Sequence, residues 1–229
     1  MLGASLSHKG IIMTSVSLYE RVRPATLDDV LGQTKAVAIA RRMIAAGVGG
    51  RAIWISGPSG AGKTTLARII ARSIADDAAI DEYDCADQLG VAELRDIDAR
   101  IRYYGMGKGG RAIIVNESHG LRSVSIRFLL GLLERIPPHV VFIFTTTRAG
   151  QESHFGDEID AGPLLSRCSA ITLTNQGLAD ALAPRLREIA QREQLDGAPV
   201  DAYKKLMQRC KNNIRAALCA IDAGEMLAE

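Results

Sequence analysis

Two stretches of this 229-residue chain carry residue types spaced for phosphate chemistry. The first, Gly57-Pro58-Ser59-Gly60-Ala61-Gly62-Lys63-Thr64, satisfies GxxxxGK[ST] at every fixed position, and Thr65 follows it. Glycines there let successive backbone N–H groups close around phosphate oxygens, and a helix starting at the loop adds partial positive charge. In such a cradle Lys63 reaches the β- and γ-phosphates and the Thr64 hydroxyl ligates Mg²⁺. The second is RAIIVNESHG, residues 111–120, in which four apolar residues run into Asn116 and Glu117. A carboxylate at a strand end is suited to polarise an attacking water, which makes Glu117 the candidate general base. A nucleotide-hydrolysing site would carry Asp before it, holding Mg²⁺ in part through bound water. Asn116 keeps an oxygen but no charge, and a neutral ligand holds a hard dication less well. Lost outer-shell partners cost other metal sites ~10–100-fold in affinity or activity. The expectation is slowed hydrolysis with ATP binding largely intact.

The elements that must position these residues are legible from periodicity. RAIWIS (51–56) is an apolar strand feeding the cradle, and in LARIIARSIA the residues Leu66, Ile69, Ile70 and Ile74 share one helical face. IDEYD (80–84) is a short, mostly polar strand, and VAELRDIDARI is a helix with Asp98 the misfit on its apolar side. RAIIV, HVVFIFT (139–145) and SAITL (169–173) are further strands, with the amphipathic SIRFLLGLLERI before the second of them. Near-continuous apolar strands alternating with helices predict a five-stranded parallel sheet covered on both faces. After TNQG at 174–177 only helical patterns follow: Leu178–Gln194, then Val200–Cys210, then Asn213–Leu227. Pro184 reads as a kink or as the first residue of a new helix. The expected division is a disordered leader over 1–14, an α/β nucleotide-binding core over 15–175 and a small all-helical lid over 176–229.

Composition narrows the partners. Twenty-eight basic and 26 acidic residues leave a net charge of +2, so any nucleic-acid argument rests on local clustering. Cys85, Cys168, Cys210 and Cys219 are widely spaced, which favours free thiols in a reducing compartment over disulfides or zinc. No apolar run approaches the ~18 residues of a membrane span, and the N-terminus lacks signal-peptide features. A cytoplasmic protein is expected, with no membrane partner.

Upstream of the cradle, YERVRPATLDDVLGQTKAVAIARRMI combines with GPSGAGKTTLA, with LLSRC at 164–168 and with NNIRAAL at 212–218. Together these closely resemble the AAA+ ATPases of clamp loaders: the bacterial DNA polymerase III tau/gamma subunit and the replication factor C small subunits. The resemblance runs in order from about Tyr19 to about Leu218. It implies a P-loop AAA+ core and helical lid with ATP and Mg²⁺ between them. Arg23, Pro24, Val30 and Gly32 would surround the adenine. Thr147, or Thr146 if the register slips by one, would be the sensor near the γ-phosphate. Arg167 would be an arginine finger acting on ATP held by a neighbouring subunit, an effect of ~10³–10⁵ in rate in other phosphoryl-transfer systems. Arg215 would reach back from the lid to the phosphates, although Asn212 stands where the family usually has Gly.

Other AAA+ subunits, a sliding clamp and primer–template DNA are the implied partners. Arg95, Arg100, Arg102, Lys108 and Arg111 precede the acidic strand, and Arg122 and Arg127 follow it. Backbone contacts to DNA need only suitably placed cations, so the cluster is unspecific; Arg95 and Arg122 are the favoured candidates. Three departures from the family matter. ADDAAIDEYD replaces a four-cysteine zinc insertion, so no zinc is expected. The loop 148–163 is longer and more acidic, a solvated loop or a partner element. The chain stops near the lid's end, without the helical collar of roughly a hundred residues that holds such pentamers together. The expectation is therefore an ATPase motor subunit, with two alternatives: a non-hydrolysing subunit that donates Arg167, or another AAA+ ATPase of DNA repair. The Ser-Arg-Cys element weighs against the last.

Overall fold

The computed structural model describes residues 16–147, 154–155, 159–160 and 162–227. The expected leader over 1–14 and most of the acidic loop 148–163 lie outside the described residues. The chain opens with a short helix α1 (Leu18–Arg21) and the amphipathic α2 (Thr34–Ala45), followed by β1 (Arg51–Ser56) and α3 (Lys63–Arg72). Next come β2 (Ile80–Tyr83), α4 (Val91–Arg100), β3 (Arg111–Val115), α5 (Ser123–Leu133) and β4 (Val140–Thr146). A two-stranded pair, β5 (His154–Phe155) and β6 (Ile159–Asp160), precedes the one-turn α6 (Gly162–Leu165) and β7 (Cys168–Thr172). Three helices close the chain: α7 (Leu178–Arg192), α8 (Val200–Arg209) and α9 (Ile214–Asp222).

The main sheet has five strands in the order β2-β3-β4-β1-β7, and every pairing in it is parallel. Its middle strands β3, β4 and β1 are buried almost end to end, as strands covered on both faces must be. One face packs Trp54, Ile113, Val115, Phe142 and Phe144 against Leu94 and Ile97 of α4 and Leu129 and Leu132 of α5. The other packs Ile53, Ile55, Ile114 and Ile143 against Leu66 and Ile70 of α3 and Ala36 and Ala40 of α2. Each fully buried side chain of Leu or Ile size contributes about 1.5–3 kcal/mol, so these two layers hold the strand ends rigidly. Asp98, the misfit on α4, is answered by ion pairs to Arg102 and Arg135.

The helical region forms a third cluster around Leu178, Leu182, Leu186, Tyr203, Leu206, Met207 and Ile221. Helix α7 runs without interruption through Pro184. The missing N–H there costs a backbone hydrogen bond, but Leu182, Ala183, Leu186 and Ile189 are buried on either side of it and keep the helix in place. The chain before the cradle also joins this cluster: Leu18 is buried in it, and its N–H donates to Asp222 Oδ2 at 3.1 Å. Helix α1 thus packs on the C-terminal helices.

Candidate nucleotide site

The cleft lies at the carboxyl ends of the strands, where ligands of open parallel sheets bind. Pairing registers set Ser56 beside Thr146, Phe144 beside Val115 and Val115 beside Tyr83, so the loops after β1 and β3 meet. The cleft has a volume of about 340 Å³ and is lined from three sides. Arg23, Pro24 and Val30 come from the segment before α2, Ser59 to Thr65 from the cradle, and Arg215 and Leu218 from α9.

The cradle has the backbone its sequence requires. Gly60 and Gly62 take left-handed conformations (φ 72° and 98°), open to glycine without strain, and Gly62 caps the start of α3. Lys63 is buried, and its Nζ donates to the carbonyls of Gly57 and Pro58 at 3.0 Å each. Burial lowers its pKa, Glu117 opposes that shift, and Arg215 adds to it.

On the facing strand, Asn116 is 7% exposed. Its Oδ1 accepts from Thr64 Oγ1 at 3.0 Å and from Thr145 Oγ1 at 2.9 Å, while its Nδ2 donates to Glu82 Oε1 at 2.9 Å. Glu117 stands next to it in a left-handed backbone conformation (φ 47°), strained for a non-glycine residue by about 1–3 kcal/mol. That turn leaves its carboxylate half exposed, with Thr147 Oγ1 donating to it at 3.4 Å and His119 Nδ1 3.3 Å away. Thr146, the alternative sensor, lies 3.4 Å from His119 Nδ1. The residues therefore fit a magnesium nucleotide: a cation in the loop, a hydroxyl and an amide oxygen for the metal, and a half-exposed carboxylate held by Thr147.

Arg23 is oriented rather than loose. It pairs with Glu20 and donates to Thr65 Oγ1 at 3.2 Å. The Arg23 hydrogen bond is the leading reason the Glu20 carboxyl titrates below its ordinary value. Arg68 joins Glu20 (3.6 Å) to Glu82 (2.6 Å). Of the other expected site residues, Gly32 lies outside the cleft lining. Its φ is 73° and a Cβ there would come 2.4 Å from Leu178, so it is a contact point for α7. Gly57 and Pro58 also stand behind the lining, holding Lys63.

The helical C-terminal region touches the cradle directly. Ile214 N–H donates to Gly60 O at 3.3 Å, and Asn213 caps α9 by accepting from Ala216 N–H at 3.1 Å. Asn212 takes φ 59°, which accounts for the family's glycine at this point, and Asn is among the few residues that tolerate it. Arg215 sits over the Tyr19 ring at 5.3 Å. Arg167 is absent from this chain's own cleft lining. It is exposed and pairs with Glu134 at 2.6 Å. Beside it, burial pushes the Cys168 thiol up to about 12, and its Sγ donates to Leu164 O.

Of the seven cations flanking the acidic strand, four serve the fold. Arg100 binds Asp81 and Tyr83, Arg102 binds Asp98, Lys108 binds Arg72 O, and Arg111 binds Tyr103 O. Arg95, Arg122 and Arg127 are exposed.

Residues missed in the sequence are Gln33, Glu82, Thr145 and Asn213. Gln33 carries a signal in the Gly32-Gln33 pair. Glu82 had a signal in the polar ending of an otherwise sheet-forming strand.

Fold and cradle together define a P-loop AAA+ protein. A family model, the TIP49 P-loop domain, matches over residues 9–87. The sequence relatives carry the names of DNA polymerase III and replication factor C subunits. DNA polymerase III subunit gamma/tau of Mycobacterium tuberculosis is 33% identical over 156 residues, covering 58% of this chain and 27% of the relative. The gamma/tau subunit of Mycoplasma genitalium is 29% identical, covering 89% and 36%. Replication factor C subunit 3 of Blastobotrys adeninivorans is 25% identical, covering 94% and 64%. The chain thus spans about a third of the length of the gamma/tau relatives it matches. Among solved structures, the Thermotoga maritima RuvB Holliday junction branch migration motor superposes with a TM-score of 0.68 at 22% identity, covering 87% of this chain and 64% of that one. That likeness concerns the fold alone. Among the described residues, no helix is long and apolar enough to cross a membrane.

Proposed function

We propose that this chain is an ATP-binding and ATP-hydrolysing subunit of a sliding-clamp loader acting on primer–template DNA in the cytoplasm. One observation carries the reading. The Thr64 hydroxyl, which lines the cleft, donates to the Asn116 oxygen at 3.0 Å behind it, and Glu117, next in sequence, lines the same cleft. In this reading Lys63 and the loop amides hold the phosphates, and Thr64 and Asn116 hold Mg²⁺, partly through water. The metal supplies charge neutralisation at the phosphoryl oxygens. Glu117 orients and deprotonates the attacking water, with Thr147 and His119 setting its carboxylate. Arg215 completes the site from the lid, and Arg167 serves the site of a neighbouring subunit. The exposed Arg95 and Arg122 are the backbone contacts to DNA.

The uncharged Asn116 favours a second reading, an ATP-holding subunit that hydrolyses nothing and acts through Arg167. Steady-state ATP turnover with and without primed DNA and a ring clamp separates the two, with fluorescent-nucleotide binding measured in parallel. The motor reading expects stimulated turnover that disappears in Glu117→Gln while binding persists, and Lys63→Ala that loses binding itself. Tight binding with no turnover under any condition supports the second reading. Stimulation by four-way DNA alone points to a repair ATPase.

A further inference from the structure

We propose that Glu82 supplies the charge that the metal position lacks at Asn116, the two side chains acting as one hydrogen-bonded amide–carboxylate pair. The proposal rests on the reading of Thr64 and Asn116 as the Mg²⁺ side of the cleft. Two hydroxyls, from Thr64 and Thr145, face the Asn116 oxygen, and one carboxylate oxygen of Glu82 faces its nitrogen. A carboxylate only accepts, so the amide satisfies all three neighbours in one orientation, with Oδ1 toward Thr64. Glu82 therefore decides which end of the amide a cation meets.

The carboxylate is itself anchored. Its second oxygen takes Arg68 Nε at 2.6 Å, and Arg68 stands four residues after Thr64 on α3, on the same helical face. Thr64 and Arg68 thus grip the two ends of the pair. Hydrogen bonding to a charged acceptor polarises the amide and makes its oxygen a stronger ligand. The carboxylate expected at the end of this strand stands one strand outward, on β2, where Arg68 shares its charge.

A consequence sets this apart from simple loss of an acid. An aspartate at 116 would set two acceptor-only carboxylates where the amide nitrogen now donates to Glu82 at 2.9 Å, so that hydrogen bond is lost and the like charges repel. Asn116→Asp alone is therefore expected to harm the site. Combined with Glu82→Gln it is expected to work. The new amide nitrogen at 82 donates to the new carboxylate at 116, and the new amide oxygen still accepts from Arg68.

The test compares wild type, Glu82→Gln, Asn116→Asp and the double variant in two measurements. The first is the unfolding temperature in EDTA without nucleotide; the second is the Mg²⁺ concentration that half-saturates binding of a fluorescent ATP analogue. Glu82→Gln should raise that concentration about 10–100-fold, the range for lost outer-shell partners. Asn116→Asp should lower the unfolding temperature without tightening Mg²⁺. The double variant should regain the wild-type unfolding temperature and bind Mg²⁺ at least as well as wild type. Tighter Mg²⁺ in Asn116→Asp alone with an unchanged unfolding temperature overturns the proposal, as do losses in the double variant equal to both single losses combined. Nucleotide binding by wild type that ignores Mg²⁺ would instead sink the metal reading, while the EDTA comparison still decides the pairing.

Discussion

The side-chain amide of Gln33 and the backbone of Thr174 form a two-way pair: Nε2 donates to Thr174 O at 2.7 Å, and Oε1 accepts from Thr174 N–H at 3.2 Å. Gln33 is 3% exposed, and the same nitrogen reaches Ala61 O in the cradle at 3.3 Å. One amide therefore joins the segment before α2, the phosphate loop and the stretch before α7. Gln33→Ala leaves buried backbone groups unpaired, each worth about 1–3 kcal/mol. The expected outcome is a lowered unfolding temperature and weaker nucleotide affinity, read by thermal denaturation with and without ATP. A variant that loses neither would show that the bridge is incidental.

Gly60 is a contact as well as a turn. A Cβ there would lie 2.0 Å from Asn213 Oδ1, in a backbone conformation (φ 72°) that L-residues rarely adopt. Gly60→Ala should cut nucleotide binding sharply by pushing the α9 cap off the cradle. Asn213→Gly, which as a cap change costs only a few tenths of a kcal/mol, should recover part of the loss in the double variant. Isothermal titration of the three proteins measures this, and equal binding by Gly60→Ala and wild type would refute it.

Arg167 pairs with the exposed Glu134, and surface ion pairs contribute about 0–1 kcal/mol. Arg167→Ala should therefore leave the unfolding temperature and the chain's own nucleotide affinity near wild type. If the side chain completes a neighbour's site, turnover in the assembled loader falls by ~10³–10⁵. Unchanged turnover in the assembly would return Arg167 to a purely local role.

The helical C-terminal region carries a pH-sensitive joint. Asp196 accepts from the buried Tyr203 hydroxyl at 2.7 Å and from Ala198 N–H at 3.2 Å, and it pairs with Arg187. The Tyr203 hydrogen bond leads the causes that hold its carboxyl below the ordinary value, while burial pushes the Tyr203 hydroxyl upward. A depressed folded-state pKa means stability that is present above the ordinary carboxylate value and lost as pH falls through the folded one. Asp196→Asn should lower the unfolding temperature by a few degrees at neutral pH, and the gap to wild type should close in acid. A gap independent of pH would exclude charge as the cause.

The sequence by itself determined the cradle, the acidic strand end, the five sheet strands and the helical character of the last 50 or so residues. Those signals are local: a glycine pattern, apolar runs of strand length and a 3.6-residue periodicity need no distant partner to be read. Tertiary structure alone decided what surrounds them. Glu82 and Thr145 meet Asn116 because β2 and β4 flank β3, an order that no segment encodes by itself. Gln33 finds Thr174 across 141 residues, and α1 leaves the core to pack on the C-terminal helices. Arg100, Arg102, Lys108 and Arg111 look alike with Arg95 in sequence, yet only the fold reveals which cations are already committed to its own acids and carbonyls. Strand order and helix packing settle these pairings because each is a contact between surfaces far apart in the chain. Its energy exists only once both surfaces are buried together.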